Sequence, residues 1–328
     1  MKYMKITLAH GSGGSQTSRL INEVFADSYG NDILAQMEDS AVVASSANIA
    51  LTTDSFVVKP MFFKGGDIGR LAVCGTVNDL LMRAAEPKYL TSAFIIEEGA
   101  DTEDLKRIAQ SMASTAKEAG VQIVAGDTKV IEGNGEIYIN TAGVGFVKDA
   151  SVSSSACKAG DKIILSGNLG DHHCTILSSR MNIENNIKSD CAPLSIMVRS
   201  LIDNNIAISA MRDVTRGGLA TVLNELADAS AASVHINECD IPVNKEVEAF
   251  AQILGLEVLN MGNEGKMVCV VSPQDCEKAL SIIKASPYGE NACVIGEIAE
   301  GNGVLLHTQI GGVRRVPVLT GEGLPRIC

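Results

Sequence analysis

The sequence has no basic stripe. Its 27 Lys and Arg stand against 39 Asp and Glu, a net charge of −12, which argues against a nucleic-acid partner. No apolar run approaches the ~18–20 residues that a membrane-spanning helix needs. No apolar core follows Met1-Lys2-Tyr3-Met4-Lys5 of the kind that secretion requires. A cytoplasmic protein is therefore expected. The nine cysteines fall at 74, 157, 174, 191, 239, 269, 276, 293 and 328 with no Cys-x-x-Cys pair, so neither a zinc site nor an iron–sulfur cluster is expected. A Walker loop ending in Gly-Lys-Ser/Thr is missing, and no Gly-x-Gly-x-x-Gly follows a strand-like run. Tryptophan is absent and aromatic residues make up only 4% of the chain.

What is present describes a globular protein. Its 328 residues suggest about two domains, and an apolar content of 46% is enough for a sizeable core. The pattern predicts a short strand over Lys5–Ala9, a glycine-rich loop, a helix around Ser18–Ala26, and paired strands at Ala41–Ala44, Ile49–Thr52 and Ser55–Val58. Ile68, Leu71, Ala72 and Gly75 recur at helical spacing and predict a helix over about 67–84. A strand over 89–96 follows. The next helix is marked by Leu105, Ile108, Ala109, Met112, Ala113 and Ala116, capped by Asp101 or Thr102 and ended by Gly120. Strands at Val121–Ala125 and Ile137–Val147 close the first half, and the Ser-rich run Asp149–Ser155 reads as a linker. A second α/β half opens with the strand Lys162–Ser166. It has helices near 192–204, 216–230, 244–254 and 274–285, and strands near 233–237, 266–271 and 292–298, and after Val304–His307 its character changes. Three parts are expected: an N-terminal domain (1–150), a C-terminal α/β domain (151–308) and a flexible tail (309–328) that ends in Cys328.

Four constellations could carry chemistry. The first is acidic. Asp39, Asp54, Asp127, Asp171 and Asp213 stand at strand ends or turns, and Asp79 falls on the apolar stripe of its helix, where a carboxylate is costly unless a cation or hydrogen-bond donors meet it. Such a set suits Mg²⁺ bridging carboxylates to phosphates, although Asp also caps helices and fills turns. The second is a pair of glycine-rich anion cradles, His10-Gly11-Ser12-Gly13-Gly14 and Arg216-Gly217-Gly218 at a helix start; each alone is equally a flexible loop. The third is Lys129 with Glu264, an amine and an acid that could move protons if they meet; taken alone they read as surface charges. The fourth is Leu324-Pro325-Arg326-Ile327-Cys328, whose thiol could enter an active site as a tethered substrate, though by composition it is an ordinary chain end.

Together these segments resemble the HypE family of hydrogenase maturation factors, within the superfamily of aminoimidazole ribonucleotide synthetase and selenophosphate synthetase. The resemblance runs over nearly the whole chain. It rests on His-Gly-Ser-Gly-Gly at 10–14, Thr-Thr-Asp-Ser at 52–55, Phe-Phe-x-Gly-Gly-Asp-Ile-Gly at 62–69 and Cys-Gly-Thr-x-Asn-Asp at 74–79. It continues with Gly-Asp-Thr-Lys-Val at 126–130, Leu-Gly-Asp-His at 169–172, Arg-Asp-x-Thr-Arg-Gly-Gly at 212–218 and Asn-Glu-Gly-Lys at 263–266. Pro-Arg-Ile-Cys at 325–328 is the specific part, since the sister families lack it.

The resemblance implies a two-domain PurM-like α/β (α+β) fold, with a mixed-sheet N-terminal domain that binds ATP and pairs in a homodimer. It implies that HypF carbamoylates Cys328, that ATP-driven dehydration leaves a thiocyanate there, and that a HypC–HypD complex takes the cyano group for the iron of [NiFe]-hydrogenase. It assigns Mg²⁺ to Asp39, Asp54, Asp79, Asp127 and Asp213. Phosphate or ATP contacts go to His10, Gly11, Gly13, Gly14, Lys64, Asn78, Thr128, Arg216 and Gly217, and activation and deprotonation to Lys129 and Glu264. The chain departs from the family at His173, where Gly is common; Ser12 and Ser40 look like tolerated variants. Two rivals remain. Another ATP-dependent enzyme of the superfamily would not need Cys328, and a carrier or scaffold would not turn over ATP.

Overall fold

The computed structural model describes residues 5–7, 10, 20–32, 48–147 and 151–318. Helix α1 is π-type over Ile21–Ala26 and α over Asp27–Tyr29. Then come β1 (Ile49–Phe56), the short hairpin of β2 (Phe62–Phe63) and β3 (Gly66–Asp67), α2 (Ile68–Leu81), β4 (Ala85–Glu97), α3 (Thr102–Ala119), β5 (Gln122–Ile131) and β6 (Ile137–Val147). The second half holds β7 (Lys162–Leu165), α4 (Asp171–Arg180), α5 (Ser195–Asp203), β8 (Ile208–Asp213), α6 (Gly218–Ser230) and β9 (Ser233–Asn237). It ends with α7 (Lys245–Leu254), β10 (Met267–Val271), α8 (Cys276–Ala285), β11 (Cys293–Ala299), β12 (Gly303–His307) and β13 (Val313–Arg315). This is the expected mixed α/β class. No helix among the described residues is long and apolar enough to cross a membrane.

Most of the predicted elements are found. Asp101 caps α3 by accepting the Glu103 N–H at 3.1 Å, and Gly120 ends it at φ +77°. The strands expected at 49–52 and 55–58 are one continuous strand, β1. Lys5 makes only an isolated bridge with Asp101. The strand at 41–44 and most of the 10–14 loop lie outside the described residues. Six elements were not anticipated: the short β2 and β3, α4, β8, β12 and β13. The last pairs with β12, so the segment expected as a tail begins with an edge strand.

The first sheet has the order β1-β6-β4-β5 and is antiparallel except for the parallel pair β4-β5. Helix α2 lies on one face and is buried along almost its whole length; only Arg70 and Asp79 are half-exposed. The Asp67 carboxylate starts α2 by accepting from Gly69 N–H (2.8 Å) and Arg70 N–H (3.0 Å). A Cβ at Gly69 would come within 2.5 Å of the Ile108 carbonyl of α3, and one at Gly75 within 2.8 Å of the Phe56 ring. Only glycine allows α2 to lie this close to both neighbours.

The second sheet has seven strands in the order β13-β12-β9-β11-β7-β10-β8. Strand β10 is buried at every position. Its Val268 and Val270 pack into a core with α6, while Met267, Cys269 and Val271 pack on the other face with α5 and α8. That second core is continuous with the N-terminal one.

The halves are joined along one stripe of α2. Arg70 Nε donates to the Cys191 carbonyl at 2.8 Å, Cys74 lies buried beside Cys191, and Asn78 is buried against the same segment. Asn78 Nδ2 donates to the Ala192 carbonyl (3.1 Å), and its Oδ1 accepts the Leu194 N–H (2.9 Å). These three residues are four apart, so they share one face of the helix. Asn78→Ala should orphan two buried backbone groups at about 1–3 kcal/mol each. A clear fall in melting temperature is expected; an unchanged melting temperature would refute the clamp.

Candidate active site

Three carboxylates from three elements meet between the domains. Asp54 on β1 and Asp79 on α2 come from the first half, and Asp213 ends β8 in the second. Asp54 faces α2, because its register partner Thr141 donates to the Ala72 carbonyl at 3.2 Å. Asp79 accepts from Thr52 Oγ1 at 2.9 Å. Burial lifts the Asp79 carboxyl above its usual range, and the Asp54 charge adds to that; Thr52, Arg212 and Arg216 act against it. Asp213 is pushed up to about 7, first by burial and then by the nearby charges of Asp79 and Asp54. None of the three forms an ion pair among the described residues.

A hard divalent cation would relieve this mutual repulsion, so the donor set fits Mg²⁺. No three His, Cys, Asp or Glu side chains among the described residues are already gathered to hold a metal.

Glu264 borders the cluster. It is only 9% exposed, and its carboxyl is raised well above the ordinary range by burial and by the charges of Asp190, Asp213 and Asp54. Its loop is rigidly held. Asn263 Oδ1 accepts the Gly170 N–H (2.8 Å), and its Nδ2 donates to the carbonyls of Val214 (3.1 Å) and Met261 (3.0 Å). The Asp190 carboxylate accepts the N–H groups of Glu264 (3.3 Å) and Gly265 (3.2 Å). A Cβ at Gly265 would lie 2.0 Å from the Asp190 carbonyl, so the turn requires glycine. Asp190 gave no sequence signal, because a buried acceptor for two amides looks in sequence like any turn Asp.

Other expected residues are placed elsewhere. Asp127 and Lys129 form an exposed pair at 2.8 Å on β5. Gly126 shares its row with Ser92, Thr141 and Asp54, so Asp127 and Lys129 point to the opposite face of the sheet. Within one chain they do not join Asp79 or meet Glu264. The Lys129 ammonium holds the Asp127 carboxyl below its usual range, and the Thr128 N–H adds to this. Lys64 is exposed and its ammonium donates to the Asn185 carbonyl, away from the acids. Asn78 Nδ2 and Oδ1 both engage the interdomain clamp. His10 is buried and turns back on its own loop, with Nδ1 accepting the Thr7 N–H at 3.1 Å. Arg216 is exposed beside the cluster, and Gly217 takes φ +81° at the start of α6. Cys328, Asp39, Gly11, Gly13 and Gly14 lie outside the described residues. His173, the departure from the family pattern, is buried on α4 and its N–H reaches the Gly262 carbonyl at 3.3 Å.

Behind Asp190 opens a cavity of about 570 Å³ between the domains, lined by Arg70, Gly167, Asp171, Asp190, Asn244 and Lys266 among others. Burial pushes the Asp171 carboxyl up to about 6, while Asn244 Nδ2 donates to it at 2.6 Å.

Two domains closed over an acidic cleft define the class. The family described as AIR synthase related protein matches this chain twice, its N-terminal domain over residues 37–147 and its C-terminal domain over 158–308. The carbamoyl dehydratase HypE of Bradyrhizobium diazoefficiens is 45% identical over 332 residues, 98% of this chain and 96% of that protein. A crystal structure of the hydrogenase maturation protein HypE in complex with ATP superposes with a TM-score of 0.95 at 42% identity, covering 98% of this chain and 99% of that one. The HypE–HypF complex matches with a TM-score of 0.81 at 48% identity, over 92% and 99% of the two chains. The chain belongs to the HypE family of carbamoyl dehydratases, enzymes of hydrogenase maturation.

The raised Asp213 has a consequence for stability. Its carboxyl titrates near 7 when folded against a usual 3.8, so the folded state binds the proton more tightly. Stability is then greatest below the lower value and falls as pH rises towards the higher one. Asp213→Asn should remove that loss. In chelator, without nucleotide, the substitution should raise the melting temperature at about pH 8 and do little at about pH 4. An equal effect at both would show that Asp213 is not held protonated.

Proposed function

We propose that this chain dehydrates a carbamoyl group carried on its own Cys328 to a thiocyanate, with ATP as the phosphoryl donor. The observation that carries the reading is the buried Glu264 carboxyl at the edge of the Asp54–Asp79–Asp213 cluster, in a family whose HypE member has been solved with ATP.

An amide oxygen is a poor leaving group and phosphate a good one. Transfer of the γ-phosphoryl group to the carboxamide oxygen forms a P–O bond there and releases ADP. Loss of the nitrogen protons and cleavage of the C–O bond then expel phosphate and leave S–C≡N on Cys328. Glu264, held by Asn263 and Asp190, is the group placed to take a proton from nitrogen. Its elevated pKa makes it a stronger base once ionised than a solvated carboxylate. Arg212 and Arg216 supply positive potential at the cluster for the phosphates. Asp54, Asp79 and Asp213, with Asp39, would hold Mg²⁺, which neutralises charge on the transferred group.

HypF is the carbamoyl donor in this reading, supported by the HypE–HypF complex, and a HypC–HypD pair is the cyano acceptor. Homodimerisation is supported by the outer face of the first sheet, on which Leu51 is 69% exposed and Ile49, Ile95 and Ile131 are exposed as well. Pairing of two such faces would bring Asp127 and Lys129 to the interface, where they could serve the partner's site. The free thiols go with a reducing cytoplasm.

Once carbamoylated, the Cys328 peptide should lose the mass of one water when Mg-ATP is added, and Glu264→Gln should keep the full carbamoyl mass while still binding ATP. Retention of that mass by wild type would sink the reading. Normal turnover by Glu264→Gln would remove it as the proton acceptor. Leu51→Arg should convert the dimer to monomer in light scattering; a dimer that persists would place the interface elsewhere.

A further inference from the structure

We propose that His172 is a positioning residue for the dehydration: its Nδ1 accepts the Ser189 hydroxyl and so fixes the 189–191 segment, whose Asp190 holds Glu264. The proposal rests on the reading above, in which Glu264 takes a proton from the carbamoyl nitrogen.

His172 is fully buried at the start of α4. Its Nδ1 lies 2.8 Å from Ser189 Oγ, and that oxygen accepts the Cys191 N–H at 3.1 Å. Its Nε2 is buried with no hydrogen-bond partner among the described residues. Burial pushes the pKa of the ring down to about 3, so the imidazole is neutral and carries one proton. With that proton on Nδ1, two groups would lack a partner, the Ser189 hydroxyl proton and the Nε2 lone pair. With it on Nε2, the Ser189 hydroxyl donates to Nδ1 and only one N–H is left over. The second tautomer is favoured, because each buried polar group without a partner is costly. Nδ1 is then the acceptor that orients the hydroxyl, and the hydroxyl in turn receives the Cys191 amide.

The 189–191 segment is where both halves meet the Glu264 loop. The Ser189 N–H donates to the Lys64 carbonyl at 2.9 Å, and a Cβ at Gly65 would come within 2.7 Å of the Ser189 carbonyl. Phe63, in the same hairpin, packs edge to face with the His172 ring at 5.4 Å between centroids. The Cys191 carbonyl accepts from Arg70 of α2. Asp190 stands between these two anchored residues, and its carboxylate takes the N–H groups of Glu264 and Gly265. A shift of Ser189 therefore moves Asp190, and with it the backbone that carries Glu264. The His172 side chain makes no hydrogen bond to Asp54, Asp79 or Asp213. Its loss should accordingly slow proton removal and spare nucleotide binding.

The test compares full-length carbamoylated chains, with single-turnover loss of water under Mg-ATP followed by mass spectrometry. His172→Asn puts an amide oxygen about where Nδ1 was. His172→Gln keeps more of the ring's volume but carries its amide out to the Nε2 position, and His172→Leu removes both nitrogens. We expect His172→Leu and His172→Gln to slow the reaction by about tenfold or more, and His172→Asn to stay near the wild-type rate. The ATP concentration for half-maximal rate should be unchanged in all three. Ser189→Ala, a small change at a half-buried residue, should slow the reaction as much as His172→Leu, and the double variant should be no slower than either alone. A role in packing alone would instead favour Gln over Asn. The inference is overturned if Ser189→Ala reacts at the wild-type rate, or if His172→Gln equals or exceeds His172→Asn. Normal dehydration by Glu264→Gln would remove the reading beneath it. An inactive Glu264→Gln beside an unimpaired Ser189→Ala and His172→Leu would overturn the positioning role alone.

Discussion

The structure depends on the seam between α2 and the segment around Cys191–Leu194. α2 is buried against β1, α3 and the second half at once, and it carries Asp79 into the cleft. Arg70 and Asn78 fasten one stripe of it to backbone groups of the other domain. That contact fixes where Asp79 stands relative to Asp213. Without it the carboxylates would belong to two unrelated surfaces.

The price of that apposition is electrostatic. Asp54, Asp79, Asp213, Asp190 and Glu264 crowd one region, and burial raises four of the five carboxyls. Arg212 and Arg216 offset part of the charge from the rim. Rigid backbone clamps hold the remainder in place. Asn263 satisfies three backbone groups, and Asp190 satisfies the two amides that follow it. A site that concentrates like charge is unstable alone and gains from a cation and its phosphates, which suits an enzyme that should close only around them.

Much of the fold was legible because its elements obey simple periods. Helix α3 announces itself by an apolar stripe, an Asp cap and a closing glycine, and β6 by its alternation of buried and half-buried residues. Helix α4 escaped because its first half, Asp171-His172-His173-Cys174-Thr175, is polar in sequence yet buried on all sides. The acidic residues were also legible, but not their division between two faces of a sheet. Asp54 and Asp127 belong to strands at opposite edges, and only register across β6 and β4 decides which way each points. The part of Asn78 in the interdomain clamp went unread although its spacing from Arg70 and Cys74 was available. Helical periodicity shows a shared stripe but not what the stripe meets. Lys266 stood within a recognised motif, and only its surroundings reveal that it is buried in the wall of the interdomain cavity.

The hydrophobic interior of the first half runs without interruption into one side of the second sheet, through Met211, Met267 and Cys269. Neither half is consequently a free-standing module. Sequence drift on one side of that shared interior must be matched on the other, so the two halves are expected to evolve as a single inherited unit. A chimaera that exchanged one half between distant relatives would inherit mismatched surfaces at the same place where its carboxylates must align.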